Sequence, residues 1–254
     1  MLAELARRDL VPELWVPSLE DRALRERLRR RMHLVRMRAS AINRLFGLRT
    51  PWGLRRSLTR LRAPDAMTVL EPHGMPAVWR RSIVAALDVI ELLDARIAAI
   101  DHELGPLARA DARVVVLDTI PGIGDLLALT LASEVGDVAR FGAPRKLVGS
   151  AGLAAKVSQS GDRSRTGALS KAGSRTLRWA AVEAAPHARR PTDPWHVLSS
   201  DFATRAGTNP ATVAVARKIL IAAWHVLSRS EPVTPAAPRR PSPVLASSRC
   251  VLAA

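Results

Sequence analysis

The residues best suited to chemistry lie in VSQSGDRSRTGALSKAGSRTLR, residues 157–178. Ser158, Ser160, Ser164, Ser170 and Ser174 stand there among Arg163, Arg165, Lys171, Arg175 and Arg178, with Gly161, Gly167 and Gly173 between them. Attack on a phosphodiester needs a hydroxyl, cations that hold charge on the equatorial oxygens, and a backbone that lets nucleic acid come close. The stretch supplies all three. Ser160 is followed by Gly161, and Arg163, Arg165 and Lys171 follow within eleven residues. No histidine or carboxylate is placed as an obvious local base, so the serine would rely on arginine assistance. By residue type and spacing alone, a solvated basic loop explains the stretch equally simply.

A second candidate contact is LDTIPGIGDLLALTLASEVGD, residues 117–137. An apolar helix end meets Pro121, then Gly122-Ile123-Gly124, then another apolar helix, which is the pattern of a helix-hairpin-helix. Gly122 and Gly124 would let the backbone turn and approach a phosphate without a Cβ in the way. The free N–H groups of Gly124, Asp125 and Leu126 would open a helix whose N-terminus attracts anions. Asp125 works against this, and an ordinary tight turn between helices gives the same pattern. Beyond the serine-rich stretch a helix is expected from Ser174 to about Ala188, with Arg175 and Arg178 in its first turn. Cations there oppose the helix dipole and are tolerated where an anion offsets them.

Composition points the same way. The chain of 254 residues carries 39 Lys+Arg against 23 Asp+Glu, a formal charge of +16. An excess of that size favours a polyanionic partner, nucleic acid first and an anionic membrane surface second. The single cysteine, Cys250, excludes an intrachain disulfide and a Cys-based metal site. No run of about 18 uninterrupted apolar residues suggests a membrane span, and a cytoplasmic location is expected.

The elements that must position these residues read as helices. Residues 18–48 form one, with Ser18 as N-cap and Leu24, Leu28, Val35, Ile42 and Leu45 near a seven-residue repeat. Its other faces are dense in arginine, from Arg22 to Arg44. Residues 49–81 are a proline- and glycine-broken connector with a short helix around 53–62. Residues 80–109 form a second heptad helix through Ile83, Ala86, Ile90, Leu93, Ile97, Ile100 and Leu104, with mostly acidic exposed charges. The two helices could close on each other as an antiparallel coiled-coil hairpin or pair with copies of themselves in a dimer. Further helices are expected over 145–150, 194–206 and 210–229, and the proline-rich residues 231–254 read as disordered. The fold class is all-α.

The run IPGIGDLLALTLASEVGDVARFGAPRKLVGSAGLAAKVSQSGDRSRTGALSKAGSRTLRWAAVEAA, residues 120–185, closely resembles the C-terminal domain of the bridge-RNA-guided DEDD insertion-sequence transposases, the IS-one-ten type. The likeness continues through ATVAVARKILIAAWHVL and back through VPELWVPSLEDRALRERLRRRMHLVRMRASAINRL. It implies a RuvC-like domain with an acidic tetrad that binds Mg²⁺, then a coiled coil, then a transposase domain. In this chain it implies residues 1–17 as a remnant of the first, 18–110 as the coiled coil and 111–230 as the transposase domain, with the helix-hairpin-helix at 117–137. It also implies that a serine forms a covalent phosphoserine with DNA and that a noncoding RNA selects the sequences joined. The matching serine is Ser160. Gly122, Gly124, Gly161, Arg163, Arg165, Lys171, Arg175 and Arg178 are then the expected nucleic-acid contacts. Assembly into a homo-oligomer through the coiled coil is expected.

The family's tetrad falls upstream of Met1, and neither Glu4 nor Asp9 sits at a tetrad position. No cofactor is therefore expected in this chain, and both ends fit a truncated or degenerate copy. Two alternatives to a transposase polypeptide follow: a non-catalytic DNA- or RNA-binding module, and an inactive pseudogene product.

Overall fold

Ser18 sets the start of the first long helix. Its Oγ accepts from the Asp21 amide at 3.0 Å, a cap that contributes about 1 kcal/mol. In the computed structural model, which describes residues 2–8, 15–53, 70, 74–160 and 163–231, the chain falls into two units, Met1–Asp111 and Ala112–Ala254. The first holds α1 (Leu2–Arg7), α2 (Leu19–Arg49) and α3 (Ala77–Ala110). In α1, Arg7 and Arg8 both bond the Glu4 carboxylate. They hold it below the usual carboxylate range, Arg7 contributing most. The sequence-expected helix around 53–62 and the tail from 232 onward lie outside the described residues.

α2 and α3 pack on each other. Their ion pairs fix the direction. Arg30 meets Glu103 at 3.1 Å, Arg31 meets Asp101 and Arg38 meets Asp94. Numbers rise along α2 as they fall along α3, so the pairing is antiparallel and within one chain. The seam between them is apolar. Leu24, Leu28, Leu45 and Leu48 of α2 are buried, as are Ile83, Leu87, Ile90, Leu93, Ile100 and Leu104 of α3. Val35, expected in the seam, is 38% exposed. Mid-helix, the partly buried Arg31 and Arg38 reach across to the acids of α3 instead, their stems covering apolar surface. At the loop end the seam closes over Leu70, Met75 and a 3₁₀ turn, Thr50–Trp52. Trp52 meets Trp79 edge to face at 6.3 Å.

The second unit is built around its last helix. In chain order it holds α4 (Ala112–Asp118), α5 (Asp125–Val135), α6 (Pro144–Ser150), β1 (Ala155–Ser160), β2 (Arg163–Leu169), α7 (Arg175–His187), α8 (His196–Ala206) and α9 (Thr208–Arg229). α9 packs against α4, α6, α7 and α8, and α5 packs against α4 and α7. By length and composition α9 could cross a membrane. Here Ala211, Val215, Ile219, Leu220 and Ala223 are buried against the neighbouring helices. α7 offers Ala180, Ala181, Ala184 and Ala185, all fully buried. Side chains this small let helix backbones approach closely at interior packing density. Trp224 of α9 donates from Nε1 to the Phe141 carbonyl at 2.9 Å and ties the helix to the segment before α6.

Among the described residues the all-α expectation holds, with one departure. The stretch read as a loop is an antiparallel two-stranded ribbon, β1 against β2. Its residues are mostly polar, and its few apolar ones lie toward the root, so no sustained apolar alternation announced a strand. The ladder's own hydrogen bonds carry it.

Burial outweighs charge in the α2–α3 pair. Leu87→Ala should lower the unfolding free energy by about 2–5 kcal/mol, whereas Arg30→Ala, at a half-exposed pair, should change it by less than about 1 kcal/mol. Urea denaturation of both variants tests this, and an ion-pair effect as large as the leucine effect would contradict the apolar seam.

Candidate nucleic-acid interface

Ser160 ends β1 and is exposed. Its register partner is Arg163, and two positions inward Ser158 pairs with Arg165. Since strand residues alternate faces and opposed residues share one, positions 158, 160, 163 and 165 belong to the same face of the ribbon. Among the described residues the Ser160 hydroxyl has no hydrogen-bond partner. Gly161 and Asp162, between the strands, lie outside the described residues.

The root of the ribbon is locked by backbone contacts. The Ser170 amide donates to the Ala154 carbonyl at 2.8 Å, and the Lys171 amide to Gly152 at 3.0 Å. The Ser174 amide donates to the Ser150 carbonyl at 2.8 Å. Gly173, at φ 111°, lies so close that a Cβ would run into that same carbonyl, so only glycine fits. Lys171 itself takes a left-handed φ of 53°. Its side chain and that of Arg175 are exposed beside the root.

Arg178 stands differently from the other cations. Its Nη1 donates to the Ala151 carbonyl at 2.9 Å and to the Lys171 carbonyl at 3.1 Å. It joins the segment entering the ribbon to the segment leaving it. The anion expected at the start of α7 is present within the chain. Ser174 Oγ donates to Glu134 Oε2 at 2.9 Å and accepts from the Leu177 amide at 3.1 Å. Glu134 is only 7% exposed, so a buried carboxylate faces the helix N-terminus through the cap serine, which offsets the cost of Arg175 in the first turn. Sequence reasoning did not single out Glu134. Its signal was an acid near the end of a largely apolar helix, DLLALTLASEV, whose other acid, Asp125, lies in the first turn.

The glycine turn divides its two glycines. Gly122 has φ 84°, and a Cβ there would meet the Ala184 carbonyl at 2.5 Å and the Ala188 amide at 2.9 Å. Its open side is therefore filled by the end of α7. Gly124 precedes α5 as its N-cap, is exposed, and has nothing within 4 Å of a built Cβ. Of the two, Gly124 leaves room for an outside group, beside the exposed Asp125.

The structure thus gathers Ser160, Arg163 and Arg165 on the ribbon and Lys171, Arg175 and Arg178 at its root. Gly122 and Gly124 sit in a separate turn between α4 and α5. Among the described residues no group of three or more His, Cys, Asp or Glu could hold a metal ion.

The sequence is similar to those of known transposases. The sequence model of the transposase IS116/IS110/IS902 family matches residues 115–200, from α4 into α8. A "probable family 20 transposase" of Pseudomonas aeruginosa is 28% identical over 236 residues, covering 90% of this chain and 70% of that protein. The transposase for insertion sequence element IS1111A of Coxiella burnetii is 27% identical over 237 residues, covering 91% of this chain and 65% of that protein. The transposase for element IS1328 of Yersinia enterocolitica is 29% identical over 224 residues, covering 84% and 65%. The chain spans about two thirds of the length of these curated relatives. The match lies over the ribbon and its root, so this part of the chain is similar to the transposases of the IS116/IS110/IS902 family.

Proposed function

We propose that this chain is a transposase polypeptide whose second unit grips a DNA phosphodiester on the β-ribbon and presents Ser160 to it. The observation that carries the reading is the register: the exposed Ser160 is paired with Arg163, two positions from the Ser158–Arg165 pair. In the step proposed, Ser160 Oγ bonds to phosphorus and the phosphorus–oxygen bond to the neighbouring sugar breaks. The hydroxyl proton passes to the departing oxygen. Arg163, Arg165 and Lys171 hold the charge that builds on the equatorial oxygens. Arg175 is available to neighbouring phosphates, and Gly124 opens the α4–α5 turn to one more, as in a helix-hairpin-helix. Arg178 holds the ribbon's root and serves the phosphate indirectly.

A guide RNA, self-association through the α2–α3 region and nucleoid association belong to the same reading and rest on the family resemblance. A binding module without chemistry is the outcome if nucleic acid binds and no serine-linked product forms.

Two measurements follow. The chain should bind DNA with a steep loss of affinity between about 50 and 200 mM salt, and replacing Arg163, Arg165 and Lys171 together by Ala should flatten the salt slope by up to about three units. Binding insensitive to salt would contradict it. For the chemistry, the chain is mixed with labelled DNA and a full-length relative whose own nucleophilic serine is Ala. A denaturing gel should show DNA linked to this chain, and Ser160→Ala should abolish the band. A band that survives Ser160→Ala would remove Ser160 from the role.

A further inference from the structure

The apolar seam of the α2–α3 pair is closed within one chain, yet α3 carries a second apolar face. Val78, Ala85, Leu92, Ala99 and Pro106 stand there at seven-residue steps, and all five are exposed. Val78 is 59% exposed and Leu92 57%. Val89 and Ala95, also exposed, flank Leu92 on either side. The buried seam residues Ile83, Ile90 and Leu104 follow the same repeat, so the two faces stay on opposite sides of the helix along its length. The outward side of a packed helix is ordinarily polar. Here apolar groups face solvent over about 42 Å of helix.

Charge sets α3 apart as well. The chain carries a formal +16, an excess that drives two copies apart over most of their surface. Within Ala77–Ala110 there are four arginines against five Asp and Glu. A near-neutral helix does not attract a polyanion, and it is where two copies meet without that repulsion. Asp94, Asp101 and Glu103 are engaged by the arginines of α2. Asp88 and Arg96 are exposed, and among the described residues neither has an ion-pair partner. They lie four residues to either side of Leu92.

We infer that this outer face of α3 pairs with the same face of a second copy of the chain, antiparallel, about a two-fold axis at Leu92. In that register Leu92 meets its own copy, Ala85 comes level with Ala99 and Val89 with Ala95. Asp88 comes level with Arg96 of the second copy, and the two-fold symmetry makes the match twice. A parallel, in-register pairing would set Asp88 on Asp88 and Arg96 on Arg96, which like charge disfavours. A helix face of this size buries roughly 400 Å² on each copy, at the weak end of specific interfaces, so the dimer is reversible. The inference rests on the proposed reading for its expectation of self-association and gives it a face and a register. It does not involve the ribbon, so a serine-linked product without a dimer, or a dimer without that product, tells the two apart.

The test uses the full chain, freed of nucleic acid, with its one cysteine replaced, Cys250→Ser. Adding Leu92→Cys should give a disulfide-linked dimer under mild oxidation, because this register brings position 92 to its own copy. Ala99→Cys alone should not link, since its two copies lie about 21 Å apart. A mixture of Ala85→Cys and Ala99→Cys chains should link to each other. Without added cysteines, sedimentation velocity at low salt should show a dimer that Asp88→Arg and Arg96→Asp each weaken several-fold and that the two changes together restore. Leu92→Glu should abolish the dimer and leave the thermal midpoint unchanged, because Leu92 packs on nothing in the hairpin seam. A Leu92→Cys chain that links no more than Ala99→Cys would overturn the proposal. So would a dimer that survives Leu92→Glu, a chain that stays monomeric throughout, or a double charge variant no better than the single ones.

Discussion

A buried carboxylate organises the second unit. Glu134 lies under the start of α7 and accepts a hydrogen bond from Ser174 Oγ, which in turn accepts from the Leu177 amide. A carboxyl side chain buried to 7% exposure is stable only when its oxygens are satisfied. The chain after the ribbon must therefore return to one place. That return is tight, because the Ser150 carbonyl receives the Ser174 amide and leaves no room for a side chain on Gly173. Arg178 closes the arrangement by bonding carbonyls on both sides of the ribbon. A polar two-stranded ribbon has little apolar surface to hold it in place, so its orientation derives from this root.

The cations divide by task accordingly. On α2, Arg30, Arg31 and Arg38 lean on the acids of α3, where they set direction more than stability. Arg140 donates to the Val135 and Glu134 carbonyls and caps the end of α5, where a cation is favoured by the helix dipole. Arg178 fastens the root. Lys171 and Arg175 beside the root are exposed, and there the excess of +16 can meet a polyanion.

The helices were legible from the sequence because their apolar periods are strong. Ser18 and Ser174 both cap the helices they were expected to begin, and the seam residues of α3 from Ile83 to Leu104 are buried apart from a half-buried Ile97. Val35 was misplaced because periodicity does not register that long arginine stems can cover the middle of a seam. The ribbon was illegible for a related reason: its pairing is between backbones, and its side chains carry no period. The candidate site was legible as residue types and as a family likeness. The division of labour within it was not. Gly122 looked like an opening for phosphate, and α7 fills that space. Arg178 looked like a phosphate contact, and it is bound to carbonyls. Both outcomes depend on contacts between segments about 27 to 66 residues apart, which no local pattern encodes.

The central claim is that the root is fixed to the core and thereby holds the ribbon in place. Amide hydrogen exchange tests it directly. The Lys171 and Ser174 amides should be protected nearly as well as those inside α7, and far better than those near Ser160. Arg178→Gln should speed exchange at Ser170 and Lys171 by about tenfold or more while leaving residues 180–185 unchanged. Root amides that exchange as fast as the ribbon's end in the unmodified protein would contradict the account.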